Sequence, residues 1–293
     1  MITIILKFRI PAILVLTLRN VTLCGVDTRT PLLALQALQR SSREIQFGKT
    51  LLFAVDQPGL RARTSALGVT LIDIGPIHSI ADYSTFMLAR LGAYISTEFA
   101  LITQWDGFVL NPHAWSEEFL AYDYVGALWP DRVGPGAVGN GGFSLRSKRL
   151  LTALLDPALI VSHPEDRCIC DVNRDRLERD HDIRFAPPSL AAKFSYERIR
   201  SATLTFGFHG IANLVDAFAP EEMLALVRQM TVEMAFGAGA RQLARTLVYD
   251  GQYEAAREIL NKRIGAGDRR WRVLTLWVRM WCRQRLRVKR KIV

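Results

Sequence analysis

A chain of 293 residues, 49% apolar and 23% charged, has the composition of a globular protein, and this excludes wholesale disorder. It is long enough for one large α/β domain with a small helical appendage. The formal charge of +10 points to anionic partners, but the excess is local. From Lys262 onward the chain is crowded with Arg and Lys and its only acid is Asp268, while the rest is nearly balanced.

The N-terminal segment, residues 1–19, stands apart. Its unbroken apolar run, residues 10–18, is too short to cross about 30 Å of hydrocarbon, and no small-x-small cleavage site follows it. It reads as a leader, a mis-called start or an ordinary leading segment, outside the fold.

Residues 20–26 form a compact β-type run ending at Asp27. Thr30 then caps a helix with Pro31 at its first position. Residues 50–55 predict a second buried strand, ending at Asp56, and residues 69–74 a third. Asp82 or Ser84 caps a predicted helix running to about Ile95, and residues 99–103 are a fourth strand leading into Gln104-Trp105-Asp106-Gly107. Alternation of this kind predicts a mostly parallel sheet covered by helices on both faces. Ligands sit beyond the carboxyl ends of such strands, where Asp27, Asp56 and Asp106 all fall. Asp also favours turns and helix caps for its own reasons, so each of the three has a purely structural reading.

Residues 122–127 predict a short strand, and a glycine-rich loop, residues 134–142, leads into Phe143-Ser144-Leu145-Arg146. Helices are expected at 147–155 and from His163-Pro164-Glu165-Asp166 to about Arg179. Beyond Pro220 the pattern is helical throughout. Residues 244–259 look like one helical-hairpin repeat of the tetratricopeptide kind; a lone copy cannot bury its own face, so it is expected to pack on the main domain. The expected division is residues 1–19, a main domain at 20–215, and a helical region with a basic tail at 216–293.

The four cysteines, Cys24, Cys168, Cys170 and Cys282, form no C-x-x-C pair and read as reduced thiols of a cytosolic protein. Walker, G-x-S-x-G and H-E-x-x-H motifs are absent. Gly139-Asn140-Gly141-Gly142 comes too late in the chain for a dinucleotide fingerprint.

The runs Val-Thr-Leu-Cys-x-Val-Asp-Thr-Arg, Gln-Trp-Asp-Gly-Phe-Val, Val-Gly-Asn-Gly-Gly-Phe-Ser-Leu-Arg-Ser, Glu-Asp and Phe-Gly-Phe-His-Gly occur in that order between about Asn20 and Asn213. They resemble the bacterial family labelled domain of unknown function 5672, and more broadly the GT-A glycosyltransferases. The resemblance implies a GT-A-like nucleotide-diphospho-sugar transferase fold. It also implies transfer from a nucleotide-diphospho-sugar donor to a carbohydrate or glycolipid hydroxyl, as in surface polysaccharide synthesis.

By the same resemblance, Asp106 stands where GT-A enzymes place the last acid of an Asp-x-Asp metal motif, with Gln104 replacing the first. His209 completes the site for a divalent metal, Mn or Mg. Asn140, Gly141 and Gly142 line the donor, Asp27 and Asp56 face the nucleotide, and the catalytic base comes from Glu165 and Asp166. Each also has a plain reading: a buried histidine, a turn acid, a hairpin turn, a pair of acids at a helix start. Trp105, Trp115 and Trp129 are candidates for stacking on a sugar, although core packing is the commoner fate of tryptophan.

Two rival readings remain. One is a catalytically degenerate nucleotide-sugar-binding module, favoured by Gln104. The other is a binder of anionic membrane or nucleic acid acting through Arg283, Arg285, Arg287, Lys289, Arg290 and Lys291, with nucleic acid the less expected of the two.

Overall fold

A computed structural model describes residues 15–201 and 203–290, with side chains through residue 284. Residues 1–14 of the leading segment and Lys291 of the basic tail lie outside the described residues.

The centre of the molecule is a six-stranded sheet. Its strands are β1 (Leu16–Val26), β2 (Ile45–Ala54), β3 (Thr70–Asp73), β4 (Phe99–Thr103), β5 (Tyr124–Gly126) and β6 (Ser144–Ser147), in the order β3-β2-β1-β4-β6-β5. β1 pairs in parallel with β2 and β4, and β2 with β3, while β6 runs antiparallel to both β4 and β5. The mostly parallel sheet expected from the alternation is therefore present, with β6 reversed. β1 begins at Leu16, with Leu18 buried, so the strand extends four residues back into the segment set outside the fold. Arg19 is accommodated in this extension because its side chain is exposed.

Period-two alternation divides the buried side chains between two faces. Val21 and Leu23, Leu52 and Ala54, and Leu101 and Leu145 share one core with α1 (Pro31–Ser41) and α2 (Leu60–Ala66). Cys24 and Val26, Leu51 and Phe53, and Ala100 and Ile102 face the other. There they meet Phe86–Leu91, which follows α3 (Ile80–Thr85), together with α4 (Lys148–Ala153). Both central strands are thus covered on two sides and read as nearly continuous apolar runs.

Two predicted helices differ from expectation. The helix read from Asp82 or Ser84 starts at Ser79, whose side chain accepts from the Asp82 amide while Asp82 accepts from the Ser79 amide. Asp82 is thus the third residue of a capping box, and not the cap. The helix read from 163 to 179 is a single turn, α5 (Glu165–Arg167), a wide turn through Val172 and then α6 (Arg174–His181). Asn173 causes the break: its side chain donates to the Cys168 and Ile160 carbonyls and accepts from the Ile160 amide.

α7 (Pro188–Phe194) leads to a small parallel pair, β7 (Ser195–Tyr196) and β8 (Gly207–Phe208). The remaining helices are α8 (Pro220–Gln229), α9 (Val232–Phe236), α10 (Ala238–Asp250), α11 (Tyr253–Gly265) and α12 (Trp271–Arg290). The repeat-like stretch is the α10–α11 hairpin, turned at Gly251 in the left-handed region (φ 79°). Its apolar residues share a core with Leu33 and Ala37 of α1 and with Phe108 and Phe208. The hairpin buries its face mainly against α8, α9, α12 and the turn at Ile211–Asp216, and reaches the sheet domain only through the core it shares with these few residues.

Candidate active site

Strand order switches direction between β1 and β4: the chain leaves β1 toward β2 on one side and returns to β4 on the other. At such a point the loops beyond the carboxyl ends separate and leave a crevice. Asp27 ends β1 and Gln104–Gly107 follows β4, so both lie at this switch point.

Residues 104–107 form a tight turn, with Gln104 and Gly107 exchanging backbone hydrogen bonds at 2.9 and 3.0 Å. The turn is fastened to a segment a hundred residues later. Gly210 donates its amide to the Asp106 carbonyl at 2.8 Å, and Phe208 donates to the Phe108 carbonyl. His209 is thereby delivered beside the turn. Its Nε2 lies 3.1 Å from Gln104 Oε1 and 3.7 Å from Asp106 Oδ1. Its Nδ1 lies 3.8 Å from Glu197 Oε1, beyond hydrogen-bond reach. Gln104 extends the group by donating from Nε2 to the Tyr83 hydroxyl at 3.1 Å.

Asp106 is 8% exposed. Burial pushes its carboxyl above the usual carboxylate range against the lowering effect of His209 and the Ile211 amide, and Asp27 pushes the same way. The carboxylate has no guanidinium or ammonium partner among the described residues.

The second group surrounds Arg146. On β6, Ser144 and Arg146 point to the same side, and Arg146 is completely buried. Its Nη2 donates to Glu165 Oε1 at 2.9 Å, and its Nε donates to Ser144 Oγ at 3.1 Å. Glu165 is itself 5% exposed, so this ion pair is dry. Asp166 is half-buried; its Oδ2 accepts from the Gly141 amide at 3.2 Å and its Oδ1 from the Arg167 amide at 2.8 Å.

Gly141 and Gly142 join the two groups. A β-carbon on Gly141 would lie 2.3 Å from Glu165 Oε1 and 3.2 Å from Asp166 Cβ; one on Gly142 would lie 2.1 Å from His209 Nε2. Neither position tolerates a side chain, because acids and imidazole occupy that space. Asn140, before them, is held at φ 57° and is 5% exposed, and its Oδ1 has no hydrogen-bond partner. Asn140 thus occupies a left-handed turn position that Asn adopts readily and keeps one buried acceptor oxygen free of protein partners.

Asp106, His209, Gly141, Gly142, Asn140, Glu165 and Asp166 thus come together. Asp27 lies at the same strand rim, but both its oxygens are engaged in holding the β1–α1 loop, accepting from the Arg29 and Thr30 amides and the Thr30 hydroxyl at 2.6–2.8 Å. Thr30 occupies the N-cap position of α1, but its hydroxyl caps no helix amide. Asp56 is exposed on the neighbouring β2 end and is ion-paired with Arg61 at 2.7 Å. Trp129 is in the core, Trp115 packs edge-on against Phe119 and Phe206, and Trp105 packs toward the helical region.

Sequence reasoning missed Tyr83, Arg146 and Glu197. Arg146 left a trace: an arginine at an inward strand position needs a buried acid, and Glu165 was available. Nothing local marked Tyr83 or Glu197.

Residues 66–209 match the family model described as Protein of unknown function (DUF5672), the family that the motifs resemble. The match takes in Gln104, Asp106, Asn140 to Gly142, Glu165, Asp166 and His209, but neither Asp27 nor Asp56. No curated protein matches the chain. Among solved structures it is similar to the apo-form glycosyltransferase GlyE of Streptococcus pneumoniae TIGR4, at 14% identity and a TM-score of 0.37, over 67% of this chain and 54% of that one. A second GlyE structure from the same organism matches at 13% identity and 0.34, over 56% and 44%. The chain thus spans about half the length of these proteins.

Proposed function

We propose that this chain is a GT-A-type glycosyltransferase that moves a sugar from a nucleotide-diphospho-sugar donor to an acceptor hydroxyl of a carbohydrate or glycolipid. One observation carries the reading: the Gly141–Gly142 dipeptide sits against His209 on one side and against Glu165 and Asp166 on the other. His209 and a half-buried carboxylate therefore meet at one glycine turn, whose side-chain space the neighbouring groups fill. A carboxylate held at such a turn is placed to take a proton from an alcohol.

Among the described residues no three of His, Cys, Asp and Glu gather as a metal site, so a divalent ion here would draw on Asp106 and His209 together with the Gln104 side-chain oxygen. Asp106 is a buried carboxylate without a Lys or Arg partner, and beside it His209 Nε2 is hydrogen-bonded to Gln104 Oε1, a contact that a bound ion would have to replace. Carboxylate, amide oxygen and imidazole suit Mn or Mg. When bound there, such an ion would neutralise charge on the leaving diphosphate. Gln104 thus retains an oxygen donor where the GT-A motif has its first acid.

Asp166 is the proposed general base, held against the glycine turn by the Gly141 amide. Glu165 is a positioning residue: its carboxylate is committed to Arg146, and that buried pair fixes the start of α5 and hence Asp166. Asn140 offers its orphan Oδ1 to a donor hydroxyl.

The test is a thermal-shift screen of nucleoside-diphosphate sugars with and without Mn, followed by a transfer assay with the donor that binds. A metal-dependent rise in melting temperature and turnover are expected, since a ligand of the folded state stabilises by mass action. Donor binding without turnover over a broad acceptor panel would leave a binding module; no shift with any donor would remove the reading.

A further inference from the structure

The last helix, α12, has two unlike sides. Val273, Leu276 and Met280 are buried in the helical core. On the outside, Trp271 (69% exposed), Leu274 (41%), Trp277 (37%) and Val278 (54%) stand in the open, and Trp281 is 44% exposed. At helical spacing these five fall within an arc of about 120°. A contiguous stripe of large apolar groups on the outside of a folded chain marks an interaction surface.

Beside the stripe runs a groove of about 320 Å³ between α10 and α12, lined by Arg241, Arg245, Arg272 and Arg279 with Thr275. No acid lines it, and none of the four guanidiniums is ion-paired among the described residues. Arg272 and Arg279 are two turns apart on the edge of α12 between the stripe and the core face. No helix among the described residues is long and apolar enough to cross a membrane.

We propose that this face of α12 docks on an anionic phospholipid surface, with the tryptophan stripe set into the headgroup–acyl boundary and lipid phosphates seated in the arginine groove. An amphipathic helix lying in the interface has this construction: tryptophan and aliphatic residues on one arc and arginines at its flank, whose stems lie along apolar surface while the heads reach phosphate. A second copy of the chain is disfavoured, because a two-fold contact through this face would oppose one arginine groove to another. Nucleic acid is disfavoured because Leu274 and Val278 have no role in a polar phosphate-binding interface. The surface is distinct from the glycine-turn site, and the proposal does not depend on the reaction assigned there.

The test is co-sedimentation of the full chain with phosphatidylcholine vesicles, with and without phosphatidylglycerol, at low and high salt. Binding is expected to the anionic vesicles, to weaken with salt and to be slight on phosphatidylcholine alone. Leu274→Ser with Trp277→Ser should weaken partitioning about tenfold or more. Arg272→Glu with Arg279→Glu should abolish the preference for anionic lipid. All four side chains are exposed, so unchanged melting temperatures will show that the variants are folded. Failure of the wild type to pellet with anionic vesicles would overturn the proposal, as would variants that pellet equally well. Binding of duplex DNA but not vesicles would assign the face to nucleic acid. A concentration-dependent dimer lost in the serine variant, without vesicle binding, would assign it to self-association.

Discussion

His209 Nε2 lies 2.1 Å from the point where a β-carbon on Gly142 would stand. A β-carbon on Gly107 would meet His209 Cδ2 at 2.7 Å. The imidazole is therefore packed against two glycine backbones, one after β4 and one before β6. Gly142→Ala should displace the ring and cost about 1–3 kcal/mol, the usual penalty of overpacking. Chemical denaturation reads the stability loss, and the same variant should lose the metal-dependent thermal shift. Wild-type behaviour in both would show that His209 is not held by this contact.

Asp106 separates the demands of folding from those of binding. Its folded-state carboxyl titrates above the ordinary value of 3.8 because it is buried. The folded chain then holds that proton more tightly than the unfolded chain. The resulting penalty on folding begins as pH rises past the ordinary value and is complete above the raised one. Asp106→Asn should therefore leave the metal-free protein as stable as wild type at neutral pH, or more so, while removing stabilisation by Mn. For wild type, metal at a hundred times its dissociation constant adds about 2.7 kcal/mol. A variant that keeps the full Mn-induced shift would place the metal elsewhere.

The adjacent acids should behave differently. Asp166→Asn is expected to lower the transfer rate by about 10²–10⁴-fold while donor binding persists, as for loss of a general base. Glu165→Gln leaves Arg146 as an uncompensated buried charge and should cost about 3–5 kcal/mol of stability. Parallel kinetics and denaturation on the two variants check this; wild-type turnover in Asp166→Asn would remove the proposed base.

Asn140 provides a backbone test. At φ 57° its conformation suits glycine, and a branched or bulkier residue would be strained. Asn140→Gly should hold stability near wild type, and Asn140→Ala should lose about 1–2 kcal/mol from the left-handed backbone. Both remove the orphan Oδ1, so both should weaken donor affinity alike. Donor affinity that tracks stability instead would reduce Asn140 to a turn residue.

Asp268, the one acid of the basic C-terminal stretch, is buried against Arg263 and also pairs with Arg270. Arg270 first, and then the Arg270 amide and Arg263, hold its carboxyl far below the usual range against desolvation. The depressed value means that its stabilisation is present above the ordinary carboxyl value and is lost as pH falls toward the folded one. The stability gap between wild type and Asp268→Asn should be full at neutral pH and close only in strong acid. A gap independent of pH would deny the ion pair this role.

Local chemistry determined much of this protein by itself. The apolar runs of β1, β2 and β4 announced buried strands, because a strand covered on both faces has no polar alternation to disguise it. The acids at their ends marked the carboxyl rim, and the order of the motifs brought Asp106, the glycine turn, Asp166 and His209 into one hypothesis. Helix ends were less legible. Ser79 displaced Asp82 as cap, and Asn173 broke a helix whose spacing looked continuous, since both outcomes turned on side chains choosing one backbone partner over another.

Only the tertiary structure distinguished acids of similar appearance. Asp27 spends both oxygens on its own loop, Asp56 pairs with Arg61 at the surface, Glu165 pairs with a buried arginine, Asp166 accepts from two backbone amides beside the glycine turn, and Asp106 is buried without a Lys or Arg partner. It also placed Gln104 against His209 and set the tryptophans of α12 outward. The physical reason is the same in each case. A carboxylate's role depends on which charges and amides come within a few ångströms of it, and a helix's outer face depends on which side its neighbours have already covered. Those distances are set by residues up to a hundred positions away.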